Sequence, residues 1–121
     1  MTITTEVYCT LQIEGTHNWP NCPFEEVDYL KVPHRHIFHI KATAPVNHDD
    51  RDIEFICLKH RVIEYFARYF NDVKKLHVFG AKSCEMIARE LIDEFGLSKC
   101  EVNEDNENGA ILTVVQPAEF G

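Results

Sequence analysis

The sequence predicts an α+β fold, a four-stranded antiparallel sheet with two helices on one face, and three observations predict it. Residues 3–14 alternate apolar and polar side chains, two later windows carry apolar residues at helical spacing, and two short apolar runs follow them around an Asn-Gly pair. The order is therefore strand, strand, helix, helix, strand, strand. At 121 residues the chain is long enough for one core and too short for two, and no repeat, low-complexity tract or linker divides it. Residues 1–121 read as a single domain.

In "ITTEVYCTLQIE", Val7, Cys9, Leu11 and Ile13 fall on one face and Glu6, Thr10, Gln12 and Glu14 on the other, the pattern of a long half-buried strand. "GTHNWPNCPFEEVDYLKVP" then holds three prolines and a glycine and reads as loop, of a length that compact domains reserve for functional or disordered segments. The second strand spans His34 to Val46, with Pro45 marking its end because proline donates no ladder hydrogen bond. "NHDDRD" supplies helix-start chemistry, with Asp50 or Asp52 able to cap. From Ile53 to Phe70 the residues Ile56, Ile63, Ala67 and Phe70, broadened by Leu58, Val62 and Tyr65, make the stripe of a helix that lies against a sheet. Ser83 is a good N-cap for the second helix, Glu85 suits its first turn, Gly96 suits its C-terminal cap, and Ile87, Leu91, Ile92 and Phe95 form its buried face. "KCEVNED" and "AILTVVQ" are the last two strands, joined through "NENG" as a hairpin.

Hydrophobic residues at 45% and charged residues at 26% are those of an ordinary soluble globular chain. No run approaches the roughly 18 apolar residues of a membrane span, and "MTITTEVYCT" lacks the basic-then-apolar layout of a signal peptide. The five cysteines are scattered, odd in number and never at C-x-x-C spacing, so they read as free thiols of a reducing compartment. These features predict a cytoplasmic protein with no membrane association. Twelve basic against 20 acidic residues give a formal charge of -8, which repels a nucleic-acid backbone and removes nucleic acid from the expected partners.

"VPHRHIFHI" concentrates three of the chain's seven histidines in a strand-like segment. Strand alternation sends His34 and His36 to one side and Arg35, Ile37 and His39 to the other, so the two imidazoles can share one ion. Zinc needs three or four ligands, and a third could come from His17, which follows the end of the first strand and becomes a neighbour if the two strands form a hairpin. His39 reads as structural or as a polar group at an inter-subunit surface, and His48 and His60 as surface residues.

The element order and this ligand set together resemble the 6-pyruvoyl-tetrahydropterin synthases and the related 6-carboxytetrahydropterin synthases, whose zinc is held by one early histidine plus an H-x-H pair in the small domain called the tunnelling fold. "EGTHNW" with His17 is similar to the early histidine segment, and "PHRHIFHIKA" to the H-G-H strand with Arg35 in place of glycine. "DIEFICLKHRV" is similar to "(M/V)xDFxxLK", with Glu54, Phe55, Leu58 and Lys59 in register, and "KSCEMIA" to "PTxENIA", with Ser83 for threonine and Glu85 matching. "EVNEDNENGA" resembles the segment whose glutamate anchors the pterin ring, which puts Glu104 in that role and leaves Glu107 as the reserve. The likeness runs from His17 to Ala110. The family's cysteine just before H-x-H has no counterpart in "PFEEVDYLKVP", so Cys22 is the candidate thiol. The family's "DHxxLN" reads "DVKKLH", with Val73 for its histidine, so Asp72 and His77 are the candidate replacement dyad.

The resemblance implies a zinc-dependent lyase acting on dihydroneopterin triphosphate or a related pterin. His17, His34 and His36 would hold a Lewis-acid zinc with an open position, Cys22 or a histidine would move a proton at the adjacent carbon, and the Glu104 carboxylate would accept two hydrogen bonds from an amino-pyrimidinone edge. It also implies a homo-oligomer, a hexamer in the family, in keeping with a small sheet whose edges need covering. The alternative expectation is a catalytically divergent relative that keeps the metal and binds a pterin or purine-like molecule. A third is that the histidines only stabilise an oligomer through metal.

Overall fold

Alternation along the first strand continues past Glu14 to His17, because Gly15 and His17 keep the facing of Cys9, Leu11 and Ile13. In the computed structural model, which describes residues 1–115, β1 (Thr5–His17) runs antiparallel to β2 (His34–Val46) over its whole length, from Thr5 opposite Val46 to His17 opposite His34. The loop between them carries 3-10 turns at Glu25–Lys31. There follow α1 (Phe55–Phe66), β3 (Phe70–Asn71), β4 (Leu76–Gly80), α2 (Cys84–Phe95), β5 (Lys99–Glu104) and β6 (Asn108–Thr113), with a single 3-10 turn between α1 and β3. The last residue of the expected final strand, Gln116, lies outside the described residues.

The expectation of a four-stranded antiparallel sheet is corrected. The sheet has six strands in the order β3-β4-β1-β2-β5-β6, and β4 lies parallel to β1, so the sheet is mixed, within an α+β architecture. The expected first helix ends at Phe66 rather than Phe70, and the chain then doubles back through a tight turn in which Asn71 Oδ1 accepts from the Val73 and Lys74 amides. Leu76–Gly80 can then pair with the last residues of β1, an approach that requires glycine at position 15: a Cβ there would stand 2.7 Å from the Phe79 ring and 2.9 Å from the His77 carbonyl oxygen.

Both α-helices contribute to one core on the same face of the sheet. Leu58, Val62 and Phe66 of α1 and Ile87, Ala88 and Leu91 of α2 are buried with Leu11, Ile13, Phe38, Ile40 and Val102. Each large apolar side chain so enclosed contributes about 1.5–3 kcal/mol. The cap of α1 is Glu54, whose carboxylate accepts from the Cys57 amide at 2.8 Å, and not Asp50 or Asp52; Asp52 instead accepts from the Asn47 amide in the preceding turn. Ser83 caps α2 through the Met86 amide, and Gly96 closes it at φ 62°.

The last hairpin turns at Asp105–Asn106, not at the Asn-Gly pair. Both residues are left-handed (φ 57° and 59°), and the Glu107 amide donates to the Glu104 carbonyl at 2.9 Å, a type I′ arrangement that Asp and Asn tolerate. Asn108 and Gly109 lie within β6, where a Cβ on Gly109 would stand 2.3 Å from the Val102 carbonyl oxygen. Among the described residues no helix is long and apolar enough to cross a membrane.

Candidate metal centre

The face of the sheet that carries the core does not stay apolar to its end. On β1 the inward series Cys9, Leu11, Ile13 and Gly15 ends in His17, and on β2 the inward series read backwards from Ala42 through Ile40 and Phe38 ends in His36 and His34. On β5, Cys100 and Val102 are followed by Glu104, which sits opposite Phe38. Three adjacent strands in register thus bring four ligand-type side chains to one end of one face. Their potential ligand atoms all lie within 4.8 Å of one another, and the group could hold a metal ion.

The imidazole orientations are fixed from behind. His17 Nδ1 is 2.9 Å from the Lys82 carbonyl, His34 Nδ1 is 2.9 Å from the Val32 carbonyl, and His36 Nδ1 is 2.7 Å from Asp105 Oδ2. Each of these partners only accepts, so each ring donates from Nδ1–H and keeps the Nε2 lone pair free, which is the tautomer that backing acceptors impose on metal-bound histidines. His17 Nε2 and His36 Nε2 are buried and have no hydrogen-bond partner among the described residues. The Glu104 carboxylate is close, 2.8 Å from His17 Nε2 and 3.6 Å from His36 Nε2, but the first contact is not aligned as a hydrogen bond and the second is too long. Buried imidazole nitrogens without a donor, facing a carboxylate, fit a first-row divalent cation, for which imidazole and carboxylate are suitable ligands.

Phe38 forms the apolar floor, its fully buried ring meeting His17 and His36 edge-on at 5.1 and 5.7 Å between centroids. Electrostatics within the group are mutual. The His17 imidazole holds the Glu104 carboxyl below the usual carboxylate range against the opposing effect of burial, with His36 and His34 adding to it. Burial alone would lower the pKa of His17, but the Glu104 carboxylate and the Lys82 carbonyl outweigh it and the net direction is up. A proton and a cation would compete for the same point.

Asp105 is the site residue that sequence reasoning misses. Besides its Oδ2 contact with His36, its Oδ1 accepts from the Ile37 amide at 2.9 Å and its own amide donates to the Ile37 carbonyl at 2.9 Å. The Ile37 amide, then His36, hold this carboxyl below its ordinary value. The signal available was the Asp-Asn pair at 105–106, two residue types that enter the left-handed region more readily than other non-glycine residues.

Other expected site residues lie apart from the cluster. Cys22 is buried in the loop after β1, its thiol donating to the Phe24 and Val27 carbonyls at 3.6 and 3.7 Å. Asp72 is exposed in the β3–β4 turn, and no hydrogen bond or ion pair joins it to His77 among the described residues. His77 faces the Glu14 carbonyl through Nδ1 at 3.1 Å and stacks on Phe79, which separates it from Phe38 and the cluster. Glu107 lies beyond the turn and donates its amide there. Cys84, at the start of α2, is the thiol that feels Glu104: burial, then the Glu104 and Glu85 carboxylates, push it up to about 12, so it remains a neutral thiol.

The family likeness stated above rests on the sequence motifs alone. No protein-family model matches the chain, and neither does any curated protein.

Proposed function

We propose that this chain is a zinc-dependent enzyme of the lyase type that acts on dihydroneopterin triphosphate or a related pterin, as the 6-pyruvoyl- and 6-carboxytetrahydropterin synthases it resembles do. The observation that carries the reading is the set of three imidazoles, each backed at Nδ1 by an oxygen acceptor, whose ligand atoms and that of the Glu104 carboxylate lie within 4.8 Å of one another. His17, His34 and His36 would hold the ion, with Glu104 beside them. A zinc ion held there supplies Lewis-acid polarisation of a substrate hydroxyl or carbonyl. The Glu104 carboxylate, kept ionised by its histidine neighbours, is placed to accept a proton or a ligand N–H at that point. Phe38 keeps the floor of the site dry. A homo-oligomer, hexameric as the resemblance implies, accords with the outer edge of β6, which has no strand partner among the described residues.

The test is metal content and turnover on one sample. Purified protein is expected to carry about one zinc per chain and to release triphosphate or a shortened pterin from dihydroneopterin triphosphate. Zinc without turnover of any pterin removes the enzyme and leaves the metal centre.

A second reading is favoured by the isolation of Cys22 and the lack of an Asp72–His77 contact: a metal-containing protein that binds a pterin or purine-like molecule without transforming it. It predicts thermal stabilisation by pterins or guanine nucleotides with no product formed.

A further inference from the structure

Of the three clustered histidines His17 is the most enclosed, with 9% of its surface exposed, and its backing acceptor lies 65 residues away in the chain. The acceptor of His34 is two residues distant, and that of His36 belongs to a turn clamped onto β2 by two further hydrogen bonds. The Lys82 carbonyl instead sits in the short connector between β4 and α2. A carbonyl in a connector orients an imbedded ring only as well as the connector itself is held.

The Lys82 side chain supplies that hold. Its Nζ is 3.2 Å from Glu90 Oε2 and lies over the Tyr69 ring at 5.9 Å from the centroid. The other oxygen of Glu90 accepts from the hydroxyls of both Tyr65 and Tyr69. One carboxylate, 22% exposed, thus joins the end of α1, the turn after it, the connector and α2. An ion pair whose carboxylate is further fixed by two hydroxyls has far less freedom than an exposed Lys–Glu pair.

We propose that Lys82 and Glu90, braced by Tyr65 and Tyr69, are positioning residues for His17: the ion pair fixes the Lys82 carbonyl, and the carbonyl holds the ring with Nδ1 protonated and Nε2 turned into the cluster. The inference deepens the metal-centre reading and rests on it only for its effect on affinity. It does not make either residue a catalytic one. A mere brace between helices would change stability alone; a positioning device also changes the state of one distant imidazole.

The experiment uses the whole chain as wild type, Lys82→Ala, Lys82→Arg and Glu90→Gln. Imidazole 15N resonances of metal-free protein, recorded at alkaline pH where the ring is neutral, report the His17 tautomer, and zinc titration against a competing chelator reports affinity. Wild type is expected to show His17 as a single Nδ1–H tautomer. Lys82→Ala and Glu90→Gln are expected to mix the two tautomers and weaken zinc about tenfold, the lower end of the effect of residues that support metal ligands, with Lys82→Arg restoring most of both. Unchanged tautomer and zinc affinity in Lys82→Ala and Glu90→Gln, with only a lower melting temperature, overturns the proposal. If wild type takes up no zinc while Lys82→Ala still mixes the tautomers, the metal reading fails and the positioning role stands.

Discussion

The two halves of the helix-facing side of the sheet are built alike and behave differently. The half under the helices presents Leu11, Ile13, Ile40, Ala42, Cys100 and Val102; the half beyond them presents His17, His34, His36 and Glu104, at the same strand positions continued by twos. The first half is closed by apolar side chains that satisfy nothing but volume. In the second, every imidazole needs an acceptor behind it, and those acceptors come from Lys82, Val32 and Asp105 in three different connections. Strand alternation therefore dictates where side chains point in both halves, while only the polar half depends on the loops to decide what those side chains are.

Phe38→Ala should break both halves at once. Its ring is fully buried and is the floor under His17 and His36, so urea denaturation should show a loss of about 3–5 kcal/mol, accompanied by weaker zinc binding. His34→Ala should separate them. Metal affinity by chelator competition is expected to fall more than the roughly hundredfold upper end seen for supporting residues, while the metal-free chain loses only about 1 kcal/mol for one partly exposed hydrogen bond. An equal loss of stability from both variants would make the polar half part of the core.

Asp105→Ala should weaken zinc about 10–100-fold through His36 and also loosen the hairpin, visible as faster exchange of the Ile37 amide. The smallest effect on metal affinity belongs to Glu90→Gln, about tenfold, with a stability loss of about 1–2 kcal/mol at neutral pH. Burial would raise the Glu90 carboxyl, but Tyr65, Tyr69 and Lys82 hold it below its ordinary 4.5. Its contribution is thus complete above that value and disappears as pH falls through the lower folded one, so the gap in melting temperature between wild type and Glu90→Gln should close on acidification.

What the amino-acid sequence makes legible follows the same division. The facing of β1, β2 and β5 is readable because alternation is local, and so are the Ser83 and Gly96 caps of α2, whose chemistry lies within one turn. The three histidines could be grouped because a hairpin of two alternating strands puts His17 opposite His34 wherever the loop between them goes. β3 and β4 are hidden: Leu76–Gly80 is short, follows an exposed lysine-bearing turn, and owes its strand form to a parallel pairing that depends on Gly15, 62 residues before its partner His77. The hairpin turn was misplaced because Gly109 serves close backbone approach, not the turn. Glu104 was singled out as a pterin anchor, and its contact with His17 follows from the β2–β5 register, which no local pattern encodes.

One carboxylate carries two obligations at the Asp105 turn: it secures the final hairpin to β2 and it sets the ring of His36. A slip of that hairpin by a single residue would send Glu104 to the opposite side of the sheet and withdraw Asp105 from the imidazole together. Capture of a cation would then act as a checkpoint on assembly, open only to chains whose last two strands have locked in the correct alignment.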